Sequence, residues 1–181
     1  KKQSGKSFLL TNILSQLQKA GSMDRIIVVS DTFDSNKKMM SDLNIRATDV
    51  YSPSDPDVVT KITDTINAER DDLQRYRDEM KRYKELDKRL MNASVWDDYL
   101  TPELLSLYNP DTDEFEEPKH WLNGKRPVIA IYADDVQSTP LLSNKAWRNL
   151  CIKCRHLGSF PDGSSPIGCS IFCAIQNYTA A

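Results

Sequence analysis

The feature that most constrains the fold is an alternation of helical and strand-like patterns. Three short apolar runs lack helical periodicity, and they lie near Arg25–Ser30, Val128–Ala133 and Gly168–Ile175. Runs of this kind are typical of strands that are buried on both faces of a parallel sheet. Helical patterns precede or separate the runs. The sequence therefore predicts an α/β fold in which helices flank a parallel sheet.

The first helix is predicted directly after Gly5-Lys6-Ser7, in SFLLTNILSQLQKAG, with Gly21 as its stop. Loop, helix and buried strand in this order form the second half of a βαβ unit. We therefore expect an α/β domain over residues 1–181 that is truncated at both ends, and a fragment that is inactive alone.

The residues Gly5-Lys6-Ser7 match the second half of a phosphate-binding loop, whose first glycine would lie one position before Lys1. In such loops, backbone N–H groups and the positive end of the following helix hold the phosphate. The lysine would reach the β- and γ-phosphates, and the serine hydroxyl would bind Mg²⁺. The residues predicted to bind ATP are Ser4, Gly5, Lys6 and Ser7.

Two acids, Asp134 and Asp135, directly follow the apolar run in VIAIYADD. A nucleoside triphosphatase needs a carboxylate at the end of a neighbouring strand to hold its metal ion. We predict that Asp134 lies on the metal side and that Asp135 orients or activates the attacking water. An acidic junction after a strand is common in α/β folds, but the two half-motifs in this order favour an Mg²⁺-dependent ATPase.

Gln176 and Arg155 are further candidates for the catalytic site. Gln176 is predicted at the carboxyl end of the third strand, where open α/β sheets bind ligands. Its amide would be placed to bind the γ-phosphate or the attacking water. Arg155, beside His156 at a helix end, is either a solvated cation or an arginine finger that contacts nucleotide in a neighbouring subunit. The residues alone favour the solvated cation.

The chain has no Gly or Pro between Pro56 and Ala93. This predicts a helical insertion over residues 56–93, with Pro56 in its first turn. One stripe of apolar residues runs along it, and acid-before-base pairs flank the stripe. Residues 97–126 are predicted to form an acidic loop region, because acids and prolines interrupt any periodicity there.

The four cysteines raise the question of a zinc site. Cys151 and Cys154 have the Cys-x2-Cys spacing of a zinc half-site. Cys169 and Cys173 are predicted in a strand, about 13 Å apart, so they cannot share one ion. We therefore expect ordinary buried thiols and no structural zinc.

Overall charge limits the kind of nucleic-acid contact that is expected. The formal net charge is −2, so the chain as a whole is not an electrostatic nucleic-acid binder. Any DNA contact would be local, in a loop or pore.

Three stretches together, SGKS, VIAIYADD and RHLG…SIFCAIQNY, resemble the genome-packaging ATPases of nucleocytoplasmic large DNA viruses, in the FtsK–HerA superfamily. The resemblance implies a RecA/FtsK-like P-loop fold, with nucleotide and Mg²⁺ at Lys6 and Ser7. It also implies that Asp134 is the Walker B acid, Asp135 the catalytic acid and Gln176 a polar sensor. Cys154, in place of a small residue, and the insertion FPDGSSP depart from the family pattern.

The same resemblance implies a motor that pumps double-stranded DNA into a capsid. The expected partners are double-stranded DNA, other copies of the chain in a homo-oligomeric ring, and a capsid or portal component. The expected location is viral, in the virus factory of the host cytoplasm or with the virion. Two alternatives remain: a phage-type terminase large subunit, and a non-enzymatic helical interaction protein in which Gly-Lys-Ser is accidental.

Overall fold

The computed structural model describes residues 5–34, 41–92, 102–112 and 114–174. Of these, the residues within 1–70 and 127–181 form one compact unit, which we call the sheet unit. The residues within 71–126 form a second compact unit, the arm unit. None of the helices in these described ranges is both long and apolar enough to cross a membrane.

Helices and strands alternate along the sheet unit, and the longest helix continues into the arm unit. The helices are α1 (Lys6–Lys19), α2 (Val58–Asn92), α3 (Pro102–Leu105) and α4 (Lys145–Lys153). The strands are β1 (Arg25–Val29), β2 (Val50–Tyr51), β3 (Tyr108–Asn109), β4 (Glu114–Phe115), β5 (Ile129–Asp134) and β6 (Ser170–Ala174).

The sheet unit contains a four-stranded sheet in the order β2-β1-β5-β6, and every neighbouring pair is parallel. All residues of β1 and β5 are buried, as expected for central strands covered on both faces. The predicted α/β class with a parallel sheet flanked by helices is thus confirmed. The three predicted strands are β1, β5 and β6, and the two-residue strand β2 adds a fourth that the sequence did not predict.

Helix α1 packs one side of the sheet. Its Leu14 is fully buried in a cluster with Val28 of β1 and with Ala130 and Tyr132 of β5. The helix stops where predicted, because Gly21 adopts a left-handed φ of 65° and Ser22 N–H bonds back to Leu17.

Helix α2 begins two residues later than predicted, at Val58 rather than at Pro56. Asp55 forms a turn first: its carboxylate accepts from Asp57 N–H at 2.9 Å, and its carbonyl accepts from Val58 N–H at 3.2 Å. The helix runs to Asn92, and Ala93, the last residue of the predicted insertion, lies outside the described residues.

The arm unit contains more regular structure than the predicted loop over residues 97–126. The structure adds α3 and an antiparallel hairpin of β3 and β4. Residues 97–101, at the start of that region, lie outside the described residues. Within the arm unit, the rings of Tyr76 and His120 pack at a centroid distance of 5.3 Å.

Candidate nucleotide site at the carboxyl edge of the sheet

The start of α1 has the backbone geometry of an anion-binding helix terminus. Gly5, the residue before the helix, has a left-handed φ of 68°, a conformation that glycine adopts without steric cost. Its carbonyl accepts the first helical hydrogen bond, from Leu9 N–H at 2.8 Å. Lys6 and Ser7 are therefore the first helical residues, and the backbone N–H groups of this turn carry the partial positive charge of the helix. Ser4, also predicted to bind ATP, lies outside the described residues.

The structure brings together the two halves of the predicted site. The Ser7 hydroxyl donates to Asp134 Oδ1 at 2.9 Å, between residues 127 positions apart in the chain. Asp134 is the last residue of β5 and only 4% exposed. The Thr11 hydroxyl donates to the Ser7 carbonyl at 2.7 Å, which fixes the first turn of α1 from within.

The residues in this contact suit a magnesium ion. Mg²⁺ is bound by hard oxygen ligands, usually one or two carboxylates together with substrate phosphates and water. Ser7 and Asp134 supply a hydroxyl and a carboxylate that already lie within hydrogen-bonding distance. Because the hydroxyl proton points to Asp134, the lone pairs of Ser7 Oγ stay available for a cation. The donor set therefore fits the predicted metal.

Asp135 differs from its neighbour in exposure and backbone conformation. Its side chain is exposed, and its φ of 54° lies in the left-handed region that non-glycine residues seldom adopt. It precedes a 3₁₀ turn over Val136–Ser138. The chain therefore turns sharply as it leaves β5, and Asp134 stays inside while Asp135 faces solvent.

Two polar residues at the same edge were not singled out from the sequence. Val29 of β1 pairs with Ala133 of β5, so the next residues, Ser30 and Asp134, are neighbours at the carboxyl edge. Asp31 follows Ser30, and its carboxylate accepts from two serine hydroxyls, Ser52 at 2.5 Å and Ser54 at 3.2 Å. The sequence RIIVVSD contains a signal for these two residues, because a serine and an acid follow a buried strand there. The acids Asp134 and Asp135 occupy the corresponding place at the end of β5.

Tyr132 is a third residue that sequence reasoning missed, because a tyrosine within an apolar run has the pattern of a core residue. It is fully buried, and its hydroxyl oxygen has no hydrogen-bond partner among the described residues. Burial raises the pKa of Tyr132 to about 12, and the negative charge of Asp134 adds to the shift. The hydroxyls of Ser7 and Thr11 lie close enough to oppose this shift in part.

The remaining predicted site residues are not part of this contact. Arg155 is exposed on a 3₁₀ turn, Cys154–His156, that follows α4. Its backbone carbonyl packs against Gly168, where an added Cβ would lie 3.2 Å from the carbonyl oxygen. Gln176 lies outside the described residues, so its predicted role as a sensor stays a prediction.

The prediction of buried thiols is wrong for part of the cysteine set. Cys169 is buried, whereas Cys151 is exposed in the last turn of α4, and the other two cysteines are half-buried. Cys169 also lies just before β6 rather than within it, since Gly168 has a left-handed φ of 66° there. Across the described residues, no group of three or more His, Cys, Asp or Glu side chains is arranged to hold a metal ion.

A separate cavity lies within the arm unit. It encloses about 440 Å³ and is lined by residues that include Glu79, Arg82, Tyr108 and Lys119. None of its lining residues belongs to the start of α1 or to β5. The candidate nucleotide site therefore rests on the contact between α1 and β5 rather than on cavity size.

Comparisons with known proteins give no family for this chain. No family model matches it, and no curated protein or solved structure matches it. The site is therefore interpreted from its own residues and geometry.

Proposed function

We propose that the protein is an Mg²⁺-dependent ATPase with a P-loop NTPase fold, and that it acts as a motor on double-stranded DNA. The ATPase part is supported by the geometry at the carboxyl edge of the sheet. The motor part comes from the sequence resemblance to viral genome-packaging ATPases.

The hydrogen bond between Ser7 and Asp134 is the observation that carries the ATPase proposal. An accidental Gly-Lys-Ser has no reason to lie beside an acid 127 residues away at the end of a central strand. A phosphate loop requires this juxtaposition, because the hydroxyl and the acid would together hold one metal ion. The contact therefore counts against the alternative of a purely helical interaction protein.

The residues of the site have distinct proposed roles. The N–H groups at the start of α1 bind phosphate oxygens, and Lys6 places its charge on the β- and γ-phosphates. Ser7 and Asp134 would hold Mg²⁺, which would neutralise part of the phosphate charge.

Asp135 is the proposed acid for the attacking water. The water oxygen forms a bond to the γ-phosphorus, the bond to the β–γ bridging oxygen breaks, and the water proton passes to the Asp135 carboxylate. The exposure of Asp135 suits this role, because an attacking water reaches it from solvent. Its buried neighbour Asp134 keeps the separate task of positioning the metal.

The motor function is tested by ATP hydrolysis with and without double-stranded DNA. We expect hydrolysis by the purified full-length protein to rise when double-stranded DNA is added. Lys6→Ala removes the lysine ammonium that is proposed to bind the transferred phosphate, so we expect it to lower kcat/KM by about 100-fold or more. The matched control is Lys19→Ala, which removes an exposed lysine at the other end of the same helix.

The outcomes separate the two parts of the proposal. Hydrolysis that depends on Lys6 but ignores double-stranded DNA would leave an ATPase without the proposed motor function. Equal hydrolysis by Lys6→Ala and Lys19→Ala would show that Gly5-Lys6-Ser7 is not a phosphate-binding loop, and it would contradict the ATPase proposal.

A further inference from the structure

The hydroxyl of Tyr132 is a buried polar group that the proposed mechanism does not use. Its side chain is fully buried, and no described residue forms a hydrogen bond with its oxygen. Leaving a buried hydroxyl without a partner destabilises the folded state, and phenylalanine would fill the same space without that loss. Such a group in a folded protein calls for an explanation, often a catalytic role or a bound ion.

The position of Tyr132 places its side chain on the same side of β5 as the candidate metal site. Tyr132 lies two residues before Asp134 in β5, so both side chains are on the same face of the strand. This is the face that packs against α1, because Tyr132 shares a core cluster with Leu14. Burial raises the pKa of Tyr132, the negative charge of Asp134 adds to the rise and the Ser7 hydroxyl opposes it, as expected for groups that lie near one another.

We propose that Tyr132 is a positioning residue of the metal site, and that its hydroxyl, which has no partner among the described residues, donates to the Asp134 carboxylate when a divalent cation is bound by Ser7 and Asp134. This inference rests on the proposed function. It goes further by assigning to the site a residue that touches neither phosphate nor metal.

The number of donors near Asp134 explains why a further hydroxyl is useful. Ser7 Oγ has a single proton, which it donates to Asp134 Oδ1. When Ser7 also binds a cation, the cation and Asp134 together set the orientation of the Ser7 hydroxyl. The Asp134 carboxylate then has Ser7 as its one hydrogen-bond donor among the described residues, unless another donor reaches it. The tyrosine hydroxyl can supply that donor, because it is buried and Tyr132 lies on the same face of β5 as Asp134.

Tyr132→Phe removes this donor and leaves the ring in the core. The matched control is Tyr51→Phe, since the Tyr51 hydroxyl bonds Thr65 at 2.9 Å in the same unit and takes no part in the site. Binding of a fluorescent ATP analogue is measured while Mg²⁺ is titrated, and again in excess EDTA. Thermal unfolding is followed in parallel.

We expect Tyr132→Phe to raise the Mg²⁺ concentration at half-saturation by about tenfold, the lower end for loss of a residue that orients a metal ligand. Binding in EDTA should equal that of the wild type, because the phosphate contacts are intact. Tyr51→Phe should leave both titrations unchanged. The melting temperature of Tyr132→Phe should equal or exceed that of the wild type, since a hydroxyl without a partner is lost.

The results that overturn the inference are distinct from failure of the proposed function. If the wild type shows Mg²⁺-dependent binding and Tyr132→Phe titrates identically, Tyr132 is a core residue only. Tyr132 is likewise a core residue only if the variant loses thermal stability without a change in Mg²⁺ dependence. If the wild type binds no nucleotide with or without Mg²⁺, the proposed function fails, and the inference fails with it.

Discussion

Two polar clusters lie at opposite edges of the same parallel sheet, and they differ in how well their hydrogen bonds are satisfied. At the amino edge, Arg25 begins β1 and bonds both oxygens of Asp49, at 2.5 and 2.7 Å, and also Glu69. At the carboxyl edge, Ser7 bonds Asp134, while the neighbouring Tyr132 hydroxyl has no partner among the described residues.

The difference indicates different purposes. The Arg25 cluster matches a buried guanidinium with two carboxylates, so it joins β1 to the turn before β2 and to α2 without offering a group to a ligand. The cluster at Asp134 lies beside the start of α1 and keeps oxygen atoms available. A satisfied cluster stabilises the fold, and a partly satisfied one at the ligand-binding edge is a candidate for chemistry.

Asp135→Asn should give the largest effect on activity. The amide cannot accept the proton of the attacking water, so we expect kcat to fall by about 10²–10⁴-fold. The free energy of unfolding should change by no more than about 0.5 kcal/mol, because the side chain is exposed. Steady-state ATP hydrolysis and urea denaturation measure the two quantities.

The exposed acid Asp42 provides the control for that variant, as Asp42→Asn in the same unit. Comparable loss of kcat in both variants would mean that overall charge, rather than a specific acid, governs hydrolysis. A normal kcat in Asp135→Asn would remove Asp135 from the mechanism.

Arg25→Met should give the largest effect on stability. It leaves the buried Asp49 without its cation and Glu69 with the half-exposed Arg46 as a remaining partner, and breaking a buried ion pair in this way costs about 3–5 kcal/mol. Urea denaturation measures the loss. Arg46→Met is the matched control, because Arg46 also contacts Glu69, at 3.2 Å, but has a side chain that is 44% exposed.

For Arg46→Met we expect a loss below about 1 kcal/mol, as for other exposed ion pairs. Equal losses in the two arginine variants would show that burial does not set the value of this cluster. If Arg25→Met were as stable as the wild type, the contrast between the two edges of the sheet would disappear.

The sequence was sufficient for those parts of the fold that have a strong pattern. A continuous apolar run indicates a fully buried strand and a period of 3.6 residues indicates an amphipathic helix, so β1, β5 and α1 are predicted within one or two residues. The strand β2 has two residues, too few for any periodicity, and its pairing depends on the neighbouring β1. The start of α2 was misplaced because the Asp55 turn competes with the helix for the same backbone groups.

The site was predictable where residue type alone carries the chemistry. Ser7 and Asp134 have side chains that suit a metal ion. Ligands of open parallel sheets bind at the carboxyl ends of the strands, which is where Asp134 lies. The role proposed for Tyr132 could not be predicted, because a tyrosine within an apolar run has the same pattern as a core phenylalanine. Only the packing against α1 shows that its hydroxyl is buried beside the two metal-binding candidates.

Ser7→Ala should lower activity less than Asp135→Asn does and lower stability less than Arg25→Met does. It removes one proposed metal ligand and the hydrogen bond to Asp134, so Mg²⁺-dependent nucleotide affinity should fall by about tenfold. We expect a loss of about 1–2 kcal/mol in the free energy of unfolding, less than for Arg25→Met. Ser22→Ala, at an exposed serine just after α1, serves as the control in both measurements.

The most direct test of the proposed nucleotide site is a crystal structure of the full-length protein with Mn²⁺ and a non-hydrolysable ATP analogue. We predict an anomalous manganese peak bound to Ser7 Oγ and next to Asp134, with the phosphates at the start of α1. A nucleotide bound elsewhere, or a metal ion that contacts neither residue, would contradict the proposed site.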